Sequence, residues 1–212
     1  QWLSGGPEAQ MREQVTAFVE SGIEVLRFSP QFKDRPRYNA LLLSCAIFAS
    51  PKEQLVRLAE QSVDASGLNG NLPKDDGDLY ASAWSGVFKY WILGDFEKAQ
   101  QQAAIAGDSY QPPWLKAGSK PLVTPWLKRD WNNFVKVQKK EFEKLWNSAR
   151  KNKTVRSESP TETVVSVESY PAERAWCWAH CGMALLAHRE GVEIVTDLLW
   201  FPDHALKCVP KD

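Results

Sequence analysis

The chain's three histidines and three of its four cysteines fall near its C-terminal end, and they are the natural starting point for any chemistry. Cys177, His180, Cys181 and His188 lie within RAWCWAHCGMALLAHREG (174–191), and His204 and Cys208 follow. Cys177 and Cys181 are spaced i, i+4, as are His204 and Cys208, so each pair shares one helix face. Four such groups match the ligand number of a tetrahedral zinc site. Structural zinc sites, however, usually take a ligand pair from a tight, non-helical knuckle, and Cys177 to Cys181 reads as mid-helix. No metal or other cofactor is expected, and the two thiols are read as small buried hydrophobes. A disulfide between them is disfavoured, because side chains on successive helical turns run nearly parallel.

Nucleophilic catalysis needs an activated Ser or Cys, a base and donors for an oxyanion. The chain has no Gly-x-Ser-x-Gly, no Gly-rich phosphate loop and no His-Glu-x-x-His. His180 sits in an apolar run and reads as a core residue. His188 stands near a charged helix end, where a partly exposed histidine is ordinary. The chain is therefore read as not an enzyme; a helical enzyme built on scattered carboxylates stays open as an alternative.

Charge offers two patches. Asp75, Asp76 and Asp78 crowd into PKDDGD (73–78), which has the density of a calcium loop. Counted from Asp75, the twelfth position, where such a loop carries its bidentate Glu, is Gly86. The loop is read as a solvated acidic patch, and Asp75, Asp76 and Asp78 as candidate partner-binding residues. The opposite patch is central: residues 116–156 hold twelve basic and three acidic side chains, although the whole chain is neutral. Trp126, Trp131 and Trp146 lie among those cations, a combination that can serve single-stranded nucleic acid. Since the Trp131/Phe134 face is the one expected inside, the Lys face is read as solvated surface and no direct nucleic-acid binding is expected. No apolar run approaches the ~18 residues that span a bilayer, so no membrane association is expected. Four cysteines in 212 residues are too few for a disulfide scaffold, which favours reduced thiols and a cytoplasmic location. The chain starts at Gln1, so whether a leader preceded it is left open.

The elements that must carry these residues are helical. Met11, Val15, Phe18, Val19, Ile23 and Leu26 recur mostly at spacings of three and four, giving a first helix. RYNALLLSCAIFAS (37–50) is apolar on nearly every side and reads as a buried second helix. Ser50-Pro51-Lys52-Glu53 has the form of a capping box with Pro in the first turn of a third helix. Residues 64–78 are rich in Gly, Asn and Asp and read as a loop. YASAWSGVFKYWILGDFEKAQQQAAIAG (80–107) reads as helix, tight Gly94-Asp95 turn, helix. PPWLKAGSKPLVTP (112–125) reads as a connector, and a long helix is expected from Thr124-Pro125 to about Asn152. It places Leu127, Trp131, Phe134, Gln138, Phe142 and Leu145 on its inner face. A further helix is expected from Pro171, with short β elements near 163–167 or 192–195 left open, as is one last helical turn after Pro202. The fold class is all-α: a compact bundle of antiparallel αα-hairpins forming one domain over 1–212, with a sub-division near 108–124 left open.

Two resemblances follow from these elements. GDFEKA with Tyr90, Ala99 and Ala106 resembles the turn of a tetratricopeptide repeat, but no second copy occurs at the 34-residue period. AWCWAHCGMALLAHREGVEIVTDLLWFPDHAL resembles the close of the immunity protein 49 family, helical proteins that accompany bacterial polymorphic and secreted toxins. The shared pattern is a helix ending in small residues, Arg and Gly, then an extended stretch and an aromatic-Pro pair, Phe201-Pro202. It departs from that pattern in carrying His188 where a second basic residue is common. The resemblance implies a protein without catalysis that binds a cognate toxin, for instance a nuclease, and blocks its active site. A second helical immunity family, paired with nuclease toxins, is a close alternative with the same function. A tetratricopeptide-like adaptor binding a peptide or protein is the competing class.

Overall fold

The computed structural model describes residues 8–28, 36–68, 77–108, 119–151, 178–195, 206 and 209–210. They form an all-α protein of eight helices: α1 (Glu8–Phe28), α2 (Pro36–Ala49), α3 (Lys52–Gln61), α4 (Gly77–Ile92), α5 (Phe96–Asp108), α6 (Ser119–Leu127), α7 (Trp131–Lys151) and α8 (Trp178–Arg189). A 3₁₀ turn, Ala65–Leu68, follows α3.

α2 and α8 occupy the middle because neither has a polar face to give to water. Leu42, Leu43, Ala46 and Ile47 of α2 and Met183, Ala184 and Ala187 of α8 are fully buried. α2 packs against α1, α3, α4 and α8, and so supplies the floor on which the other helices settle. The Phe88 side chain of α4 reaches α8 at Gly182, where a Cβ would run into its ring. α4 and α5 form the antiparallel hairpin that the sequence suggests. Gly94 takes the left-handed conformation (φ 79°), and Asp95 N–H donates to Tyr90 O at 2.8 Å. Asp95 Oδ1 then accepts from Lys98 N–H at 3.1 Å, opening α5.

Three expectations need correction. The capping box at Ser50 does not form: Pro51 occupies the N-cap position of α3 and no side chain caps it. Ser50 belongs instead to the end of α2, its N–H donating to Ala46 O at 2.9 Å and its carbonyl accepting from Arg189. The long helix does not start at Thr124-Pro125. Both residues lie inside α6, which begins at Ser119 within the expected connector. Pro125 cannot supply an N–H, and α6 ends two residues later, where Arg129 turns left-handed (φ 53°). Asp130 then opens α7, accepting from Asn133 N–H at 3.3 Å. Finally, Val192 to Val195 is not a strand. Val192 N–H closes α8 on Ala187 O at 3.0 Å, and Val195 N–H donates to the Gln138 side chain at 3.3 Å. The β candidate at 163–167, residues 171–177 and most residues after Pro202 lie outside the described residues.

Candidate functional site

The chemistry-bearing residues of the sequence are not brought together among the described residues. Asp75 and Asp76, like Cys177, His204 and Cys208, lie outside them. Asp78 stands in the first turn of α4 and His180 in the first turn of α8, without described side chains. Cys181 is buried, and His188 Nδ1 lies 3.3 Å from Val192 O, one turn beyond it in the closing loop. Among the described residues no three His, Cys, Asp or Glu side chains group as a metal would require. Cys45 and Cys181 both line an apolar groove of about 210 Å³ between α2 and α8, together with Leu41, Phe48 and Leu185. Burial pushes the Cys45 thiol up, away from the reactive thiolate. The one hydroxyl on the wall, Ser44, already donates to Ala40 O at 2.8 Å.

Polar groups converge instead behind the α4–α5 hairpin. Asp64 accepts from the Tyr90 hydroxyl at 2.5 Å and from Ser66 N–H at 2.7 Å, with Lys89 Nζ 3.9 Å away. Burial alone would raise Asp64. The hydrogen bonds from Tyr90 and Ser66 and the Lys89 charge outweigh it and leave the carboxyl below its ordinary range. Burial, together with the Asp64 and Asp95 charges, pushes Tyr90 up to about 12. One group is a fixed anion and the other a fixed phenol near neutral pH, so the pair clamps structure rather than exchanging protons. Gln102 extends the clamp, accepting from Ala65 N–H at 3.0 Å and donating to Ser66 Oγ at 2.9 Å. Neither Asp64 nor Gln102 carries a sequence motif; their distance along the chain from Tyr90 and Ala65 hides the pairing.

The hairpin tip leads to the surface feature best built for recognition. Trp91, 5% exposed, stacks on the fully buried Trp126 with ring centres 3.8 Å apart. Phe96, on the other side of the turn, meets Trp91 edge-on at 5.0 Å and is 36% exposed, as is neighbouring Leu93 at 38%. Over both rings lies the Arg129 guanidinium, 4.5 Å from Phe96 and 5.5 Å from Trp91. Arg129 donates from Nη2 to Glu190 just past α8, at 3.2 Å, and remains half exposed. One arginine thus joins the α4–α5 turn, the α6–α7 corner and the end of α8. In the sequence Lys128-Arg129-Asp130 reads as the interior of one continuous helix, which hides this role. The signal that would have found it is Asp130, three residues before Asn133, as a cap.

Arg189 works the other way, as an internal clamp. It is 1% exposed and donates to Ile47 O at 3.1 Å and Ser50 O at 2.9 Å. These are carbonyls at the C-terminal end of α2, where unpaired acceptors and the helix dipole favour a cation. No helix among the described residues is long and apolar enough to cross a membrane. No family model, curated protein or solved structure matches this chain.

Proposed function

We propose that this chain is an immunity protein that binds a cognate bacterial toxin and neutralises it by occluding the active site, without catalysis of its own. The observation that carries the reading is the Arg129 corner. Aromatic and arginine side chains are the groups that most often dominate protein–protein affinity, and they do so when held rigidly before binding. Here the Trp91–Trp126 stack fixes the rings beneath Phe96 and Arg129, so little side-chain entropy is left to lose on contact. The resemblance of residues 175–206 to the close of immunity protein 49 points the same way, as does the helical architecture it implies. A cytoplasmic site of action belongs to this proposal, and a nuclease is one toxin class it accommodates.

The test is to look for a toxin gene adjacent to this one and to co-express the two; absence of any such gene counts against the reading. Cells carrying the toxin alone should die, and cells carrying both should grow. Growth that is not restored, together with no complex between the purified proteins, overturns the reading. The tetratricopeptide-like adaptor keeps one supporting observation, the α4–α5 hairpin, and it predicts capture of an extended peptide instead of a folded toxin.

A further inference from the structure

The exposed side of α7 carries a concentration of positive charge that no described side chain is seen to pair with. Lys136, Lys139 and Lys140 are exposed, and Lys128 is exposed at the corner just before the helix. None of these four side chains has a hydrogen-bond or ion-pair partner among the described residues, whereas Arg57, Lys89 and Lys98 on other helices each lie near a carboxylate, at 3.5, 3.9 and 2.9 Å. The arrangement follows from helix periodicity. Phe134, Gln138 and Glu141 turn into the core, which sends 136, 139, 140 and 143 outward together. Glu143, three and four residues after Lys140 and Lys139, is the one described acid on that outer side of α7, so positive charge stays in excess there.

We infer that this face, starting at Arg129, is the docking surface for the acidic face of a protein partner; the inference rests on the toxin-binding reading above. Arg129 supplies the anchor at the near end: it is half exposed, Glu190 is its one side-chain hydrogen-bond partner among the described residues, and its remaining guanidinium donors suit a carboxylate held in two bonds. The lysines supply steering, the contribution that peripheral charges make to association. A nucleic acid fits this face less well. The described aromatic rings near this face are turned inward, with Trp126 and Phe134 fully buried and Trp131 against Trp91. A membrane surface fits less well too, because every exposed described residue from 128 to 143 is polar, leaving nothing apolar to insert.

The experiment measures binding of a catalytically inactive form of the toxin identified by the co-expression test, at low and high salt. The variant is Lys136→Glu/Lys139→Glu/Lys140→Glu, with Lys52→Glu on α3 as an equally exposed charge control and circular dichroism as the folding check. The expected result is a loss of about 30-fold or more in affinity, mostly in association rate and largest at low salt, with the control unchanged. The milder Lys136→Gln/Lys139→Gln/Lys140→Gln form should lose an intermediate amount, which keeps the test decisive if the reversal disturbs the helix. Unchanged affinity in both triple variants overturns the surface while leaving toxin binding intact. A loss confined to Asp75→Asn/Asp76→Asn/Asp78→Asn assigns the acidic loop instead and equally overturns it. Tight binding of a short DNA duplex by the wild type, abolished in the triple reversal, would make the face a nucleic-acid site. Failure of the wild type to bind the toxin at all removes the functional reading, and the surface with it.

Discussion

At the scale of single residues, stability hangs on polar groups that have been taken out of water and paired. Arg189 is the most consequential. Replacing it with Ala strips the partners from Ile47 O and Ser50 O and leaves a cavity between α2 and α8. The expected loss is about 3 kcal/mol, the sum of unpaired carbonyls and lost packing, seen as a lower urea midpoint. Arg189→Lys keeps the charge but not the planar fork, and should recover only part of that loss. Tyr90 and Asp64 give a pH signature. Tyr90's folded value, about 12, lies above the ordinary 10.0, so its contribution is complete below pH 10 and is lost as pH rises towards 12. Asp64's folded value is depressed, so its contribution is present above about pH 4 and fades as pH falls through the lower folded value. Tyr90→Phe should flatten the alkaline decline and, by removing a hydrogen bond to the carboxylate, reduce the acid one. Urea midpoints across pH that keep their alkaline slope in Tyr90→Phe would place that titration elsewhere.

At the scale of elements, what was legible in the sequence was governed by burial periodicity, and what was not was governed by competition for backbone groups. The apolar wrap of α2, the Gly94-Asp95 turn and the inner face of α7 at Trp131, Phe134 and Gln138 all follow from side-chain pattern and are found so. The Ser50 box failed because a residue some 140 positions away takes the Ser50 carbonyl, and the helix end before it takes its N–H. Thr124-Pro125 misleads because Pro suits a helix start, whereas here it stands near the end of α6. The Arg129 corner followed from that same error. Close approach is likewise invisible in sequence, and two glycines show it. Gly182→Ala would press a methyl into Phe88 and should cost about 1–3 kcal/mol by overpacking. Gly107, in the last turn of α5, has nothing near its added Cβ, so Gly107→Ala should stabilise by about 0.5–1 kcal/mol. Opposite shifts in thermal midpoint for the same chemical change would establish that packing, not propensity, placed Gly182.

For the whole molecule, the question is whether the aromatic stack makes one cooperative unit of the helices on either side of residues 108–124. The buried cluster runs from Val19 of α1 through α2, α4 and α8 to Trp126 and Phe134 of the α6–α7 corner. Trp126 is the most deeply buried link between the α4–α5 hairpin and that corner, stacking on Trp91 and meeting Phe88 edge-on at 6.4 Å, with Trp131 and Arg129 against Trp91 nearer the surface. If that stack couples the two parts, Trp126→Ala should lower stability by about 3–5 kcal/mol and shift one shared transition. Hydrogen exchange under mild denaturant is the direct readout, because amides of α4 and of α7 should then open together at the same reduced free energy. Amides of α7 that open early while those of α4 stay protected would divide the chain near 108–124. The same coupling bears on recognition. A partner held at Arg129 and along α7 presses on a corner whose rigidity comes from α4 and α8, through Trp91 and Glu190. Trp126→Ala should therefore weaken toxin binding even though the buried Trp126 cannot touch the partner. The loss should lie in faster dissociation, with association rate and its salt dependence unchanged, the reverse of the pattern expected for the lysines.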